Sequence, residues 1–233
     1  MPTSTASRKA QQSERTREAL LATCLRLFAH RGFARTSIDE IARAAGVTKG
    51  AMYWHFASKD DLFHAILDRI RRRWLEVVHQ RVLARRTPPE CLFQLFDSYA
   101  ELFGDAPEIC LFLQQVALDR QNRRFSAQVA TVFAKTARFI VNIIEDGKAA
   151  GVMRRDVDSL GAAHLLLGML AGASQQASTT RVRSLGQLLS PAKEMMASYL
   201  LSPANAERTL VTVSMSRRVK PPSASRSRRR RLS

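Results

Sequence analysis

The sequence predicts an all-α fold. Long segments of the 233-residue chain are rich in Ala, Leu, Arg, Glu and Gln, which are strong helix formers. Only 10 glycines occur, and the alternation of apolar and polar residues that indicates strands is almost absent. Apolar residues make up 45% of the chain, so a sizeable core can be buried. The length allows one large domain, or a small module attached to a larger one.

Helical spacing and breaker residues predict about nine helices. Residues 1–13 are polar, and we expect them to form a disordered arm. An amphipathic helix follows, with Leu21, Cys24, Leu25 and Phe28 on one face. After two short helices, longer ones are expected at about 59–85, 90–103, 107–119, 123–150, 157–178 and 186–201. Residues 203–233, with three prolines and an Arg-rich end, are expected to be a disordered basic tail.

The segment 37–56 has the start and stop signals of two short helices in succession. Ser37 and Glu40 are spaced as a capping box, in which each side chain bonds the other residue's backbone amide. Gly46 suits the end of this helix, and Thr48 suits the N-cap of the next. Two short helices joined by a tight turn predict a helix-turn-helix.

The second of these helices divides its residues between two faces. Met52 and Phe56, four apart, can point into the module, whereas Lys49 and Tyr53 can point outward together. Gly50 costs a helix about 1 kcal/mol relative to Ala. Two interpretations are open: Gly50 allows a close approach to DNA, or it is a surface glycine that the helix tolerates. The outward face predicts a surface that reads the major groove.

The charge of the chain favours a polyanionic partner. The formal net charge is +17, and residues 207–233 carry nine basic residues and one acidic residue. The run from Arg226 to Arg231 is either a solvated end or an addition to non-specific DNA affinity.

Several classes of protein are not indicated. Three scattered cysteines suit neither a disulfide framework nor a zinc site. No catalytic, dinucleotide or phosphate-loop motif occurs, so we expect neither an enzyme nor a cofactor nor a metal. The first 15 residues contain no apolar h-region, so no signal peptide is predicted, and the longest apolar run, 162–173, is shorter than the roughly 20 residues of a membrane span. We therefore expect a cytoplasmic protein without membrane contact.

Residues 15–67 closely resemble the TetR family of bacterial repressors, and within it the AcrR-type regulators of multidrug efflux genes. The resemblance lies in Thr36–Ala42 and Gly46–Phe56, followed by Lys59 and Leu62–Phe63. It implies DNA contacts by eight residues. Those matching phosphate-binding positions are Ser37, Thr48, Tyr53, His55 and Lys59. Lys49 matches a position that reaches base edges, and Gly50 matches a position at the groove surface. Trp54 matches a position that either contacts the DNA backbone or packs inside the module.

The resemblance also implies a division of the chain into a DNA-binding domain at 14–74 and an effector-binding and dimerisation domain at 75–202. The last two long helices would form a homodimer that binds a palindromic operator. A small apolar or aromatic effector is expected. Candidate pocket residues, each of which is also consistent with plain core packing, are Phe96, Tyr99, Phe103, Phe112, Gln115, Phe139 and Met169.

The function implied is ligand-responsive repression of efflux or similar detoxification genes at the bacterial nucleoid. Two alternatives stay open. One is a regulator of the same type that controls a metabolic pathway, for example of lipids or aromatic compounds. The other is a non-specific basic DNA-binding protein, which does not explain a large core behind one small DNA-reading module.

Overall fold

The computed structural model describes residues 4–104, 106–119, 122–180 and 184–206, and the regular structure of these residues is helical. The predicted all-α fold, a helix-turn-helix module joined to a larger helical body, is confirmed. The segments are α1 (Ser4–Arg31), α2 (Ile38–Ala45), α3 (Lys49–His55), α4 (Lys59–Trp74), α5 (Gln80–Leu83), α6 (Pro88–Gly104), α7 (Pro107–Leu118), α8 (Arg123–Ala149), α9 (Ser159–Thr180) and α10 (Leu185–Leu200).

Helix α4 continues into α5 without a break. The π-helical segment Leu75–His79 joins them, and helical backbone angles are kept across both junctions. The continuous rod therefore matches the single helix predicted from residue 59 to about residue 85. This junction accounts for ten α-helical segments where the sequence predicted about nine. Single π-helical turns inside α-helices are rare, and no feature of the sequence predicted this one.

The structure gives different outcomes for the two ends that were predicted to be disordered. The prediction is wrong for residues 4–13, which belong to α1. These residues are rich in Ala, Arg, Lys and Gln, and a helix that is already nucleated extends readily through such residues. At the other end, residues 203–206 form one helical turn in which the amides of Asn205 and Ala206 donate to Ser202 O. The rest of the predicted tail, 207–233, lies outside the described residues.

Helices α1–α4 form an N-terminal module, and α6–α10 form the body. Helix α1 packs against α2 and α4 within the module and against α7 of the body. In the body, α8 packs against α7 and α9, and α10 packs against α6 and α9. Helix α1 is therefore shared between the two parts. The domain limits at 14–74 and 75–202 stay a prediction.

An aromatic cluster joins the module to the body. It contains Phe28 of α1, Phe33 of the α1–α2 loop, Phe63 of α4, Phe112 of α7 and Phe125 of α8. The rings of Phe63 and Phe125 stack with their centroids 3.9 Å apart, and Phe33 meets the edge of Phe125 at 4.8 Å. Phe112 lies 5.5 Å from Phe63 and 6.4 Å from Phe28. Because these contacts cross between helices, the cluster fixes how the module sits on the body.

Lys59 ties the start of α4 to the α1–α2 loop. Its half-buried ammonium donates hydrogen bonds to Phe33 O at 2.9 Å and Thr36 O at 3.0 Å. The same nitrogen lies 4.3 Å from the centroid of the Phe33 ring. Two carbonyl oxygens and an aromatic face thus stabilise one cation.

Helix α8 is the one described helix that is long and apolar enough to cross a membrane. Its position in the fold gives the reason for that composition. Val129, Ile140 and Ile144 are buried, and α8 packs against α6, α7 and α9. Its opposite face carries exposed charged residues, including Lys135 and Arg138. It has the features of an amphipathic helix that packs one face against the body.

The three cysteines are free and shielded from solvent. Cys24 and Cys110 are buried, and Cys91 is half-buried with its thiol donating to Val82 O at 3.3 Å. Burial raises the pKa of all three thiols. This placement agrees with the small apolar role that cysteine usually has in a core.

Replacing Lys59 by Met should lower the free energy of unfolding by about 2 kcal/mol, since hydrogen bonds from a charged donor to two carbonyls are lost. Urea denaturation followed by circular dichroism measures the change. The matched control is Lys135→Met at an exposed site of α8, where the change should stay within about 0.5 kcal/mol. Equal effects of the two substitutions would contradict a structural role for Lys59.

Candidate nucleic-acid interface

The capping box at the start of α2 is formed as predicted. Ser37 Oγ accepts a hydrogen bond from Glu40 N at 3.2 Å, and Glu40 Oε2 accepts one from Ser37 N at 2.9 Å. Hydrogen bonds from the Ser37 backbone amide, which has the larger effect, and from the Ser37 side chain lower the pKa of Glu40. At the other end, Gly46 adopts the left-handed conformation with φ 68° and ends the helix. The local signals in the sequence thus fix both ends of α2.

Helix α3 begins and packs as its sequence predicts. Thr48 is the N-cap, and its Oγ1 accepts a hydrogen bond from Ala51 N at 3.1 Å. Met52 and Phe56 are buried in the module. The helix is therefore anchored by one face and leaves the other face free.

The free face of α3 is wide and partly aromatic. Tyr53 is 45% exposed and Trp54 is 72% exposed, so packing inside the module does not explain Trp54. His55 is half-buried, and its ring meets the edge of the Trp54 ring with the centroids 4.6 Å apart. Exposed aromatic residues beside a lysine give the hydroxyl, ring N–H and ammonium donors that position a protein on DNA.

Lys49 forms an ion pair with Asp39 of α2. Its Nζ lies 2.8 Å from Asp39 Oδ1, and both side chains are 58% exposed. Hydrogen bonding and attraction to Asp39 raise the pKa of Lys49. Exposed ion pairs contribute little to stability, so the ammonium can leave Asp39 for a base or phosphate at small cost. The sequence analysis missed Asp39, which lies ten positions away on a different helix.

The surroundings of Gly50 show that the protein itself does not require a glycine there. A Cβ added at this position would meet only Thr48 Oγ1, at 4.0 Å, and the backbone is outside the left-handed region. The open space agrees with both sequence-based interpretations, a tolerated surface glycine and a close approach to DNA.

Ser37 and Lys59 already have intramolecular partners. The Ser37 hydroxyl also donates to Glu40 Oε2 at 3.0 Å, and Lys59 donates to two carbonyl oxygens of the α1–α2 loop. Their predicted phosphate contacts stay predictions. What the structure adds is a folding role for each, which the sequence indicated for Ser37 but not for Lys59.

The seven predicted effector residues do not converge on one cavity in the described part of the chain. Phe112 belongs to the aromatic cluster at the junction, and Phe139 packs against Trp74 and His79 beside the π-helical segment. The remaining positions range from core to surface. Phe96 and Phe103 are buried, Tyr99 and Met169 are half-buried, and Gln115 is exposed. Helical spacing alone cannot say which buried aromatic borders a cavity.

One cleft of about 510 Å³ lies among α6, α7, α9 and α10. Phe103 is the one predicted effector residue that lines it, together with Leu111, Ser174 and Leu185. Next to it, the Ser174 hydroxyl donates to Tyr99 Oη at 3.1 Å. Tyr99 is also 3.4 Å from Cys110 Sγ, and burial raises the pKa of Tyr99 well above its usual value. The cleft therefore combines apolar walls with hydroxyl groups, and His30 and Glu108 also line it.

No group of three or more His, Cys, Asp or Glu residues in the described ranges is arranged to hold a metal ion. The exposed polar groups on and beside α3 are instead the Thr48 and Tyr53 hydroxyls, the Trp54 ring N–H and the Lys49 ammonium. These suit phosphate oxygens and base edges.

Comparison with known proteins agrees with this geometry. The family model of "Bacterial regulatory proteins, tetR family" matches residues 20–66, which span α2, α3, the C-terminal part of α1 and the first half of α4. The HTH-type transcriptional regulator AcrR of Shigella flexneri is 54% identical over 56 residues, which cover 24% of this chain and 26% of that protein. The chain is thus aligned with only about a quarter of that relative.

Two further matches extend over the body. The HTH-type transcriptional repressor BepR of Brucella suis is 29% identical over 174 residues, covering 70% of this chain and 80% of that protein. A crystal structure of a TetR transcriptional regulator from Chloroflexus aurantiacus superposes with a TM-score of 0.68 at 25% identity, covering 82% of this chain and all of that one. The chain therefore contains a DNA-binding domain that matches the TetR family at residues 20–66, and over its helical body it is similar to transcriptional regulators of that family.

Proposed function

We propose that this protein is a homodimeric repressor that binds a palindromic operator through α3 and releases it when a small molecule binds the body. The observation that carries the proposal is the free face of α3, where Lys49, Gly50, Tyr53 and Trp54 are exposed while Met52 holds the helix in the module. A recognition helix needs this division between an anchored and a reading face.

The exposed groups suit different parts of a DNA duplex. The ammonium of Lys49 can exchange Asp39 for guanine O6 and N7 in the major groove. The Tyr53 hydroxyl and the His55 ring suit phosphate oxygens, as does Thr48 at the start of the helix. Contacts with phosphate oxygens position the protein on the duplex without reading the base sequence. Gly50, with open space around it, allows the helix to approach the groove closely.

Replacing Lys49 by Ala should weaken operator binding by about 1–3 kcal/mol and relax specificity at one base position, whereas Tyr53→Phe should weaken binding evenly across sequences. The operator is first selected from a random DNA pool, and affinities are then measured by gel shift. Lys135→Ala, an exposed lysine of α8, is the control and should bind as the wild type does.

Unchanged affinity in both α3 variants would contradict the assignment of the reading face. Selection of no palindrome, with protection that spreads over any DNA, would favour the non-specific basic protein instead. The formal net charge of +17 motivates that second candidate.

Two capping boxes offer a matched test of the Ser37 contact. Ser184 and Gln187 at α10 form the same arrangement as Ser37 and Glu40 at α2. Ser37→Ala and Ser184→Ala should each lower stability by about 1 kcal/mol, as measured by urea denaturation. Only Ser37→Ala should also weaken DNA binding in a gel shift, since its hydroxyl lies in the reading module. Equal DNA affinity of the two variants would leave Ser37 with a folding role alone.

The dimer is proposed to form through α9 and α10. Large apolar side chains are exposed on these helices, namely Leu160 and Leu165 on α9 and Met195 and Tyr199 on α10. Beside them, a Cβ at Gly168 or Gly172 would meet no atom within 4 Å, so a second chain can approach closely. A two-fold dimer places two α3 helices to read the two half-sites of a palindrome.

Leu165→Glu should convert the dimer to a monomer, because two carboxylates would be buried near the two-fold axis. Size-exclusion chromatography with light scattering measures the mass. The control is Leu118→Glu, which changes an 80% exposed leucine at the end of α7 and should leave the dimer intact. A dimer that persists in Leu165→Glu would place the interface elsewhere.

The effector is proposed to be a small apolar or aromatic molecule that binds the cleft lined by Phe103 and Ser174. Its binding would favour a body conformation in which the two modules no longer match the half-site spacing. The AcrR-type module supports control of efflux or similar detoxification genes in the cytoplasm, at the nucleoid. A role in lipid or aromatic metabolism is the alternative, and the operator's position in the genome decides between them.

A further inference from the structure

A second cleft, of about 360 Å³, lies where the module meets the body. It is bordered by α1 and α4 and by the start of α7. Its floor is apolar and is formed by Leu21, Leu25, Ile66, Ile70 and Ile109. A volume of this size lies within the range of small-molecule sites.

The rim of this cleft is basic. Arg26 of α1 and Arg69 and Arg73 of α4 line it, and Glu108 is the one carboxylate among the lining residues. Arg69 is held by Glu18 at 3.0 Å. Within the described residues, Arg26 and Arg73 have neither an ion pair nor a side-chain hydrogen bond. Two guanidinium groups are thus available beside an apolar floor.

We propose that this cleft binds a small amphipathic anion, with a carboxylate at Arg26 and Arg73 and a flat or chain-like apolar part on the floor. A planar guanidinium matches a carboxylate with two parallel hydrogen bonds, and it stacks on aromatic rings. The floor supplies the apolar contact that such a ligand needs in addition to charge. The cleft is separate from the one lined by Phe103 and Ser174, although Glu108 borders both.

An occupant of this cleft would contact the module and the body at once, because α1 and α4 belong to one part and α7 to the other. It would therefore act on the relative position of the two parts. The binding itself does not rest on the proposed function, so it can be tested on the purified full-length chain without DNA.

The probe pair is naphthalene-2-carboxylate and its neutral amide, which differ by one charge at nearly equal shape. Isothermal titration calorimetry should show that one molecule of the carboxylate binds per chain. The amide should bind at least about tenfold more weakly, since charge-assisted hydrogen bonds are lost. Arg26→Gln/Arg73→Gln should weaken carboxylate binding at least about tenfold for the same reason. Glu18→Gln, which releases Arg69 from its ion pair, should strengthen carboxylate binding.

The matched control is Arg72→Gln/Arg86→Gln, which removes the same charge from exposed positions outside the cleft and should keep the affinity within about twofold. Ala177→Leu, which narrows the other cleft, should also leave carboxylate binding unchanged. The proposal is overturned if the acid and the amide bind equally, if neither binds, or if Ala177→Leu rather than the Arg26/Arg73 pair abolishes binding. Circular dichroism confirms that each variant is folded.

Discussion

The arrangement of the DNA-binding module depends on one half-buried contact, the ammonium of Lys59 held by Phe33 O, Thr36 O and the Phe33 ring. Phe33 O also accepts a hydrogen bond from Thr36 N at 3.3 Å, so the ammonium adds to a turn that is already hydrogen-bonded. A half-buried cation at this place would be costly without these acceptors. Because Phe33 also contacts Phe63 and Phe125, the same contact holds the loop against α4 and against the body.

This contact explains how a small module can be oriented precisely on a larger body. Helix α2 contacts α1 and α3, and no extensive contact joins α2 or α3 directly to α6–α10 in the described part of the chain. The position of α2 and α3 is therefore determined by α1, α4 and the loop at Phe33. Any change in the body that moves Phe112 or Phe125 reaches α4 through direct ring contacts, without passing through the reading helix itself.

The parts of the fold that could be predicted from the sequence are those determined by near neighbours along the chain. Ser37 and Glu40 are three residues apart, and the two faces of α3 follow from a spacing of four. The bonds of Lys59 could not be predicted in this way, since they span 26 and 23 residues. The same holds for the Lys49–Asp39 pair and for the effector residues, because a cavity is bordered by helices that are distant in sequence. The π-helical segment had no recognisable signal at all.

The uneven similarity to known regulators has a physical explanation. Identity reaches 54% over the 56 residues aligned with the Shigella regulator and is 29% over the 174 residues aligned with the Brucella repressor. The major groove has nearly the same width and phosphate spacing for every operator, so the module that enters it has little freedom. The core of a body tolerates many combinations of apolar side chains, so its sequence can vary more than that of the module.

The shielding of the three cysteines has a practical consequence for labelling chemistry. Maleimides and disulfide reagents react with thiolates, and burial raises the pKa of the thiols of Cys24, Cys91 and Cys110, of which Cys91 is the half-buried one. One cysteine introduced at an exposed helical position can thus carry a spin label or a dye with the native cysteines left in place. The separation of the two reading helices in a dimer becomes measurable in an otherwise unaltered chain.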